Sequence, residues 1–190
     1  MDDHNIRFDR DKFCAVVHYI CSKCPDELGN VKLHKIMYFA DMLHFMAMGR
    51  PLTGVDYLKQ SFGPVARHLT QTLKKLEADG LIRIETQDYF GFEKKRYVSL
   101  ASPSFKFSNL EVQLLEDVIE FVRGHSARAI SELSHDAAWK AADAGERIPY
   151  AAAYGLQAGE ISEDDQAWAL AEARKIRPLI EAERCERGIF

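Results

Sequence analysis

Residues 31–48, VKLHKIMYFADMLHFMAM, constrain this chain more than any other stretch. Leu33, Ile36, Met37, Ala40, Leu43 and Ala47 recur at helical spacing as one apolar stripe, and Tyr38, Phe39, Phe45 and Met46 widen it. A helix this apolar belongs at the centre of a core, with the other elements laid around it. Gly49 supplies its C-terminal stop. The run does not read as a membrane span, because Asp41 and His44 break it and the apolar part, 36–48, is too short for a bilayer.

Other elements follow from shorter signals. Phe13, Val16, Val17 and Ile20, behind Asp9 and Asp11, predict a helix over about 10–22. Pro25 to Asn30 reads as a turn. Residues 50–63 read as a connector with a short extended piece. Pro64 is placed at the start of a third helix, where its missing N–H costs nothing, with Val65, Leu69, Leu73 and Leu76 buried and Gly80 as its end. Residues 81–85 and 95–100 alternate like strands around turn residues Asp88 and Gly91, which predicts a β-hairpin. Ser102-Pro103 marks a seam.

The second half reads as helical. Ser108 with Glu111 three residues on is a capping box for a helix to about 123, ended by Gly124. Ser126 opens a short helix, Trp139 lies on another, and Pro149 breaks the pattern. A last helix is expected over about 163–187, with Pro178 as a kink. The expected fold class is mainly α with a small β-hairpin, an α+β fold with a winged-helix-like element. The expected organisation is one domain over 1–155, with a winged-helix-like part (1–100) and a helical part (104–155), and a helical extension over 156–190.

Charge narrows the function classes. Residues 1–100 carry 15 Lys/Arg and 13 Asp/Glu; residues 101–190 carry 10 and 16, within a net charge of −4. A dedicated nucleic-acid binder shows a clear basic excess on one face, and an acidic half repels phosphate. A helix followed by a wing still makes DNA binding a reading to weigh, with Arg67, Lys74, Lys75, Lys94, Lys95 and Arg96 as its phosphate contacts. Glu77, Asp79 and Glu93 interleave with these residues, as on a solvated face.

Metal and catalytic patterns are weak. Cys14, His18, Cys21 and Cys24 share one helix and its exit, whereas zinc sites join two separate ligand pairs, so buried structural cysteines are the better account. Four cysteines in 190 residues do not make a disulfide framework. His135 and Asp136 beside Trp139 have the residue types of an acid–base pair, but no activated nucleophile accompanies them, and His135 with Trp139 at i, i+4 suits a helix closing on the core. No P-loop, GxSxG, HExxH or GxGxxG occurs. No catalytic residue, metal or cofactor is expected. The polar, acidic start MDDHNIRFDRDKF lacks the regions of a secretory leader, so a cytoplasmic protein without membrane attachment is expected.

Several motifs in order then resemble a known family. VKLHKIMYFAD (31–41) is similar to the K-L-x-K-hydrophobic-x-Y-F-A-D signature of the SocA-like Panacea domain, also seen in phage-associated GepA proteins. GRPLT (49–53) resembles its connector, FGPV (62–65) its G-P-V motif, and Leu133-Ser134-His135 with Trp139, followed by GERIPY (145–150), its later segment. The resemblance covers about 10–155. It departs at Asp136-Ala137-Ala138, where members often carry an acidic residue nearer the Trp.

The resemblance implies an antitoxin of a toxin–antitoxin module, acting by direct contact with a protein toxin or as an adaptor that hands the toxin to a protease. On that reading Tyr57, Phe62, Arg67, His68, Tyr89 and Phe92 are the expected partner-binding anchors, since aromatic and arginine side chains carry large contact area at modest entropy cost. The alternative is a winged-helix transcriptional regulator bound to operator DNA.

Overall fold

The computed structural model describes residues 6–24, 28–89 and 92–157. The expected last helix, with Trp168 and Cys185, lies outside the described residues. The fold is mainly helical with two small antiparallel sheets. Six α-helices are described: α1 Arg10–Lys23, α2 Asn30–Met48, α3 Leu69–Ala78, α4 Asn109–Arg123, α5 Ala127–Leu133 and α6 Ala137–Ala141. The strands are β1 Tyr57–Gln60, β2 Gly63–Ala66, β3 Ile82–Tyr89, β4 Phe92–Ser99 and β5 Arg147–Ile148, and a 3₁₀ helix, Tyr150–Gln157, follows. No described helix is long and apolar enough to cross a membrane.

Local signals set the helix ends. The Asp9 carboxylate accepts from the Lys12 amide at the start of α1. Gly49 ends α2 at φ 68°, a left-handed turn that costs glycine little. Both arms of the Ser108–Glu111 capping box are made at the start of α4. The side chains of Ser126 and Asp136 cap α5 and α6.

Helix α2 is the centre of the fold. It packs on α1, α4, α5 and β2. Leu33, Ile36, Met37 and Ala40 are buried as the stripe predicts, and each large apolar side chain so buried contributes about 1.5–3 kcal/mol. Beyond Ala40 the buried side runs through Asp41, Met42, His44 and Phe45, while Leu43 and Ala47 are exposed. A helix apolar almost all round leaves the direction of its stripe to its neighbours.

The region after the connector departs from expectation. Pro64 does not open α3; it lies in β2, which pairs antiparallel with β1 through Leu58↔Val65, Lys59↔Pro64 and Gln60↔Gly63. Proline suits β2 because the strand is at the sheet edge, where a missing N–H breaks no ladder. Residues 61–62 form the reversal, and α3 begins only at Leu69. Distant β5 adds to β1 (Tyr57↔Ile148), giving a sheet of order β2-β1-β5.

The second sheet is the expected hairpin, longer than its alternation suggested. Strands β3 and β4 pair from Ile82↔Ser99 to Tyr89↔Phe92. Asp88, expected in the turn, is therefore a paired strand residue. Helix α3 precedes this hairpin, with Leu69, Thr72, Leu73 and Leu76 as its buried face.

Candidate partner-binding site

Three polar residues on α2 hold the connector and the first hairpin, and a fourth, Tyr38, reaches the cap of α6. His34 accepts the Ala66 amide at Nδ1, 3.1 Å away; burial, then the neighbouring Lys35 charge, lower its pKa to about 4, so the ring is neutral. Lys35, buried to 1% exposure, donates to the Pro64 carbonyl at 3.0 Å. Burial lowers its pKa to about 8, against the opposing pull of Asp136. Tyr38 donates to Asp136 at 2.9 Å. Asp41 is fully buried and accepts from the Thr53 amide (2.6 Å), the Thr53 hydroxyl (2.6 Å) and the Tyr57 hydroxyl (2.7 Å). Burial pushes its carboxyl up from the usual range, and those donors pull it back. These groups are buried, and their hydrogen bonds hold neighbouring segments in place.

Lys35 is the one of the four that reaches the β1–β2 turn. Three alternate carbonyls of that turn are held by side-chain donors from three helices. Trp139 Nε1 donates to Gln60 (3.2 Å), Ser131 Oγ to Phe62 (2.8 Å) and Lys35 Nζ to Pro64 (3.0 Å). Gly63, at φ 90°, passes so close beneath that a Cβ there would lie 2.3 Å from Ser134 Oγ and 2.6 Å from Lys35 Nζ. On this rigid turn stands Phe62, 75% exposed. At the same corner Leu133 is 50% exposed, and the rings of His135 and Trp139 stack at 4.0 Å. Lys59 Nζ sits 4.2 Å from the Trp139 ring, its charge over the π face. His135 Nε2 is covered and finds no hydrogen-bond partner among the described residues, and burial lowers the pKa of this ring.

The expected anchors separate. Phe62 is on the surface. Tyr57 is a correction: it is fully buried, in edge contact with Tyr38 (5.3 Å) and bonded to Asp41, so its side chain offers a partner nothing. Its position in the central strand β1 draws it inward, which aromatic character alone does not show. Arg67 precedes α3 and pairs with Asp56 at 3.5 Å. His68 is exposed at φ 69°, a left-handed conformation uncommon for a non-glycine residue, and stacks on Phe8. Tyr89 and Phe92 are paired in backbone register at the end of the second hairpin.

Half of the basic residues of the DNA reading, Arg67, Lys75 and Arg96, have acidic neighbours. Lys75 pairs with Asp79 (2.5 Å) and Arg96 lies 3.9 Å from Glu85, while Lys74 and Lys95 are exposed and Lys94 occupies β4 opposite Gln87. Among the described cysteine-cluster residues, His18 turns to the Ala101 carbonyl (3.0 Å), and no group of three or more metal-binding side chains gathers.

Leu133, Ser131, Ser134 and Lys59 were not anticipated as parts of this corner. For Lys59 the signal is the pair of short extended runs, YLKQ and GPVA, on either side of two residues; Ser131, Leu133 and Ser134 reach the corner only through the packing of α5.

The family model described as "Antitoxin SocA-like, Panacea domain" matches residues 33–140, more than half of the chain. No curated protein and no solved structure gives a significant match.

Proposed function

The chain belongs to the SocA-like Panacea family of antitoxin domains, and from that premise we propose that it neutralises a protein toxin by binding it at the Phe62 corner, without catalysing a reaction. An antitoxin-type role comes with the family; the direct contact and its location are our reading. The observation that carries it is Phe62, a large apolar side chain 75% exposed on a turn tied down at three carbonyls. A rigidly mounted aromatic loses little freedom on binding, which is what makes such residues interface hot spots. Leu133 and the His135–Trp139 stack widen the apolar contact, and Lys59 and Lys140 give it a charged rim.

Neutralisation follows if the bound surface covers the toxin's active region or holds the toxin inactive. The protease-adaptor form uses the same contact and differs only in the toxin's fate. Binding to operator DNA is less well supported, because Lys75, Arg96 and Arg67 each have a carboxylate neighbour.

The test is co-expression with the product of an adjacent toxic gene, with Phe62→Ala and Leu133→Ala variants beside the wild-type chain. The wild type should rescue growth and co-purify with the toxin, and Phe62→Ala should weaken the complex by about 2 kcal/mol or more, roughly thirtyfold. Rescue by a stably folded Phe62→Ala, Leu133→Ala double variant at wild-type levels would remove this corner from the interface.

A further inference from the structure

The chain has a second concave surface, sharing no residue with the Phe62 corner. A cleft of about 960 Å³ is lined on one side by residues 6–12, which include the first turn of α1, and on the other by Phe45 and residues 49–53. Phe45 and Leu52 form its buried floor, and Ile6, Phe8 and Pro51 are half-buried along its walls.

The arginines of the protein divide sharply here. Arg67 and Arg147 pair with Asp56, Arg83 and Arg96 with Glu85, and Arg128 with Glu132, while Arg123 also has a partner. The three remaining described arginines, Arg7, Arg10 and Arg50, have exposed side chains without an ion pair or hydrogen bond among the described residues, and all three line this cleft.

The carboxylates there do not balance them. Lys12 is drawn off to Glu111, which leaves Asp9, whose carboxylate caps α1, and Asp11. Three guanidinium groups against two carboxylates, Asp9 and Asp11, leave a local positive surplus on a protein of net charge −4. At physiological salt, charges beyond about 8 Å are largely screened, so a ligand in the cleft responds to that surplus rather than to the whole molecule.

We propose that this cleft docks an acidic segment of a protein partner. The planar fork of arginine matches a carboxylate with two parallel hydrogen bonds. The apolar walls between the guanidinium groups suit side chains spaced between the acidic residues of an extended peptide. The inference stands apart from the antitoxin reading, since it needs neither the toxin nor the Phe62 corner.

The test uses the full chain and a short fluorescein-labelled peptide of alternating Glu and Leu, titrated by fluorescence anisotropy. Saturable binding is expected, weakening as salt rises, and lowered about tenfold or more by Arg7→Gln, Arg10→Gln and Arg50→Gln together. Lys74→Gln, a loss of charge on α3, should leave affinity unchanged. The same peptide with Gln for Glu should bind at least tenfold more weakly. Amide shifts on adding the peptide to the wild-type chain should centre on residues 6–12 and 49–53, a readout that survives even if the triple variant folds poorly. Absence of saturable binding, or shifts centred elsewhere, would overturn the proposal. So would competition by inorganic phosphate at equal concentration, which would mark a general anion site, or relief of binding on deleting residues 1–5 that points to the chain's own Asp2 and Asp3 as occupants.

Discussion

Replacing Gly63 with alanine tests the turn on which Phe62 is mounted. The new Cβ would meet Ser134 Oγ at 2.3 Å and Lys35 Nζ at 2.6 Å, and both atoms are buried. Neither can retreat freely: Ser134 donates to Ser131 at 2.7 Å and Lys35 to Pro64 at 3.0 Å. A non-glycine residue at φ 90° also costs about 1–2 kcal/mol by itself. Adding the loss of one neutral and one charge-assisted hydrogen bond gives a destabilisation of roughly 4–6 kcal/mol, a large share of a domain's stability. Urea unfolding followed by circular dichroism reads this as a lower midpoint at unchanged slope. Gly63→Ala combined with Ser134→Ala removes the tighter contact and should recover part of the loss. A loss under about 1 kcal/mol, with the turn unmoved, would refute the reasoning, because it would mean that buried contacts this short relax at almost no cost.

The buried polar groups of α2 give two further expectations. Asp41→Ala leaves the Thr53 amide and the Thr53 and Tyr57 hydroxyls without their acceptor, so thermal or urea unfolding should show a loss of about 3–5 kcal/mol, and a loss below 1 kcal/mol would contradict it. His34 has a folded pKa near 4 against an ordinary value of 6.5, so the unfolded chain binds the extra proton first. Its contribution is complete above pH 6.5 and is lost as pH falls from 6.5 to 4, by roughly 3 kcal/mol in all. The difference in stability between wild type and His34→Gln should shrink over that window; a constant difference would place the proton elsewhere.

What the sequence shows well is what neighbours in the chain decide. Ser108 and Glu111 satisfy each other within one turn, so the start of α4 is legible without its surroundings. The centrality of α2 is legible because no surface helix tolerates so apolar a circumference. Pro64 is the opposite case. Proline is equally at home in the first turn of a helix and in an edge strand, and the choice rests on pairing with Lys59, a contact that Phe62-Gly63-Pro64 does not announce. Strand β5 is two residues long and has no period to detect. The site was half legible for the same reason. Phe62 stands out as an aromatic in a turn, but burial of Tyr57 depends on Tyr38, Asp41 and Tyr150 arriving from elsewhere. Likewise, the gathering of Arg7, Arg10 and Arg50 exists only because residues 6–12 and 49–53 meet in the folded chain.

The pairing of β1 with β5 has a consequence for how this protein can be taken apart. Strand β1 lies between β2, a few residues on, and β5, which arrives from beyond α6. A fragment ending at the Ser102-Pro103 seam would leave one side of β1 with unpaired N–H and C=O groups, an invitation to intermolecular pairing. It would also strip α4 and α5 from α2. Each half therefore lacks surface that only the other supplies, and the seam is a place to cut for fragment complementation rather than for domain isolation. Two pieces split there should regain the fold when mixed, and neither should hold it alone.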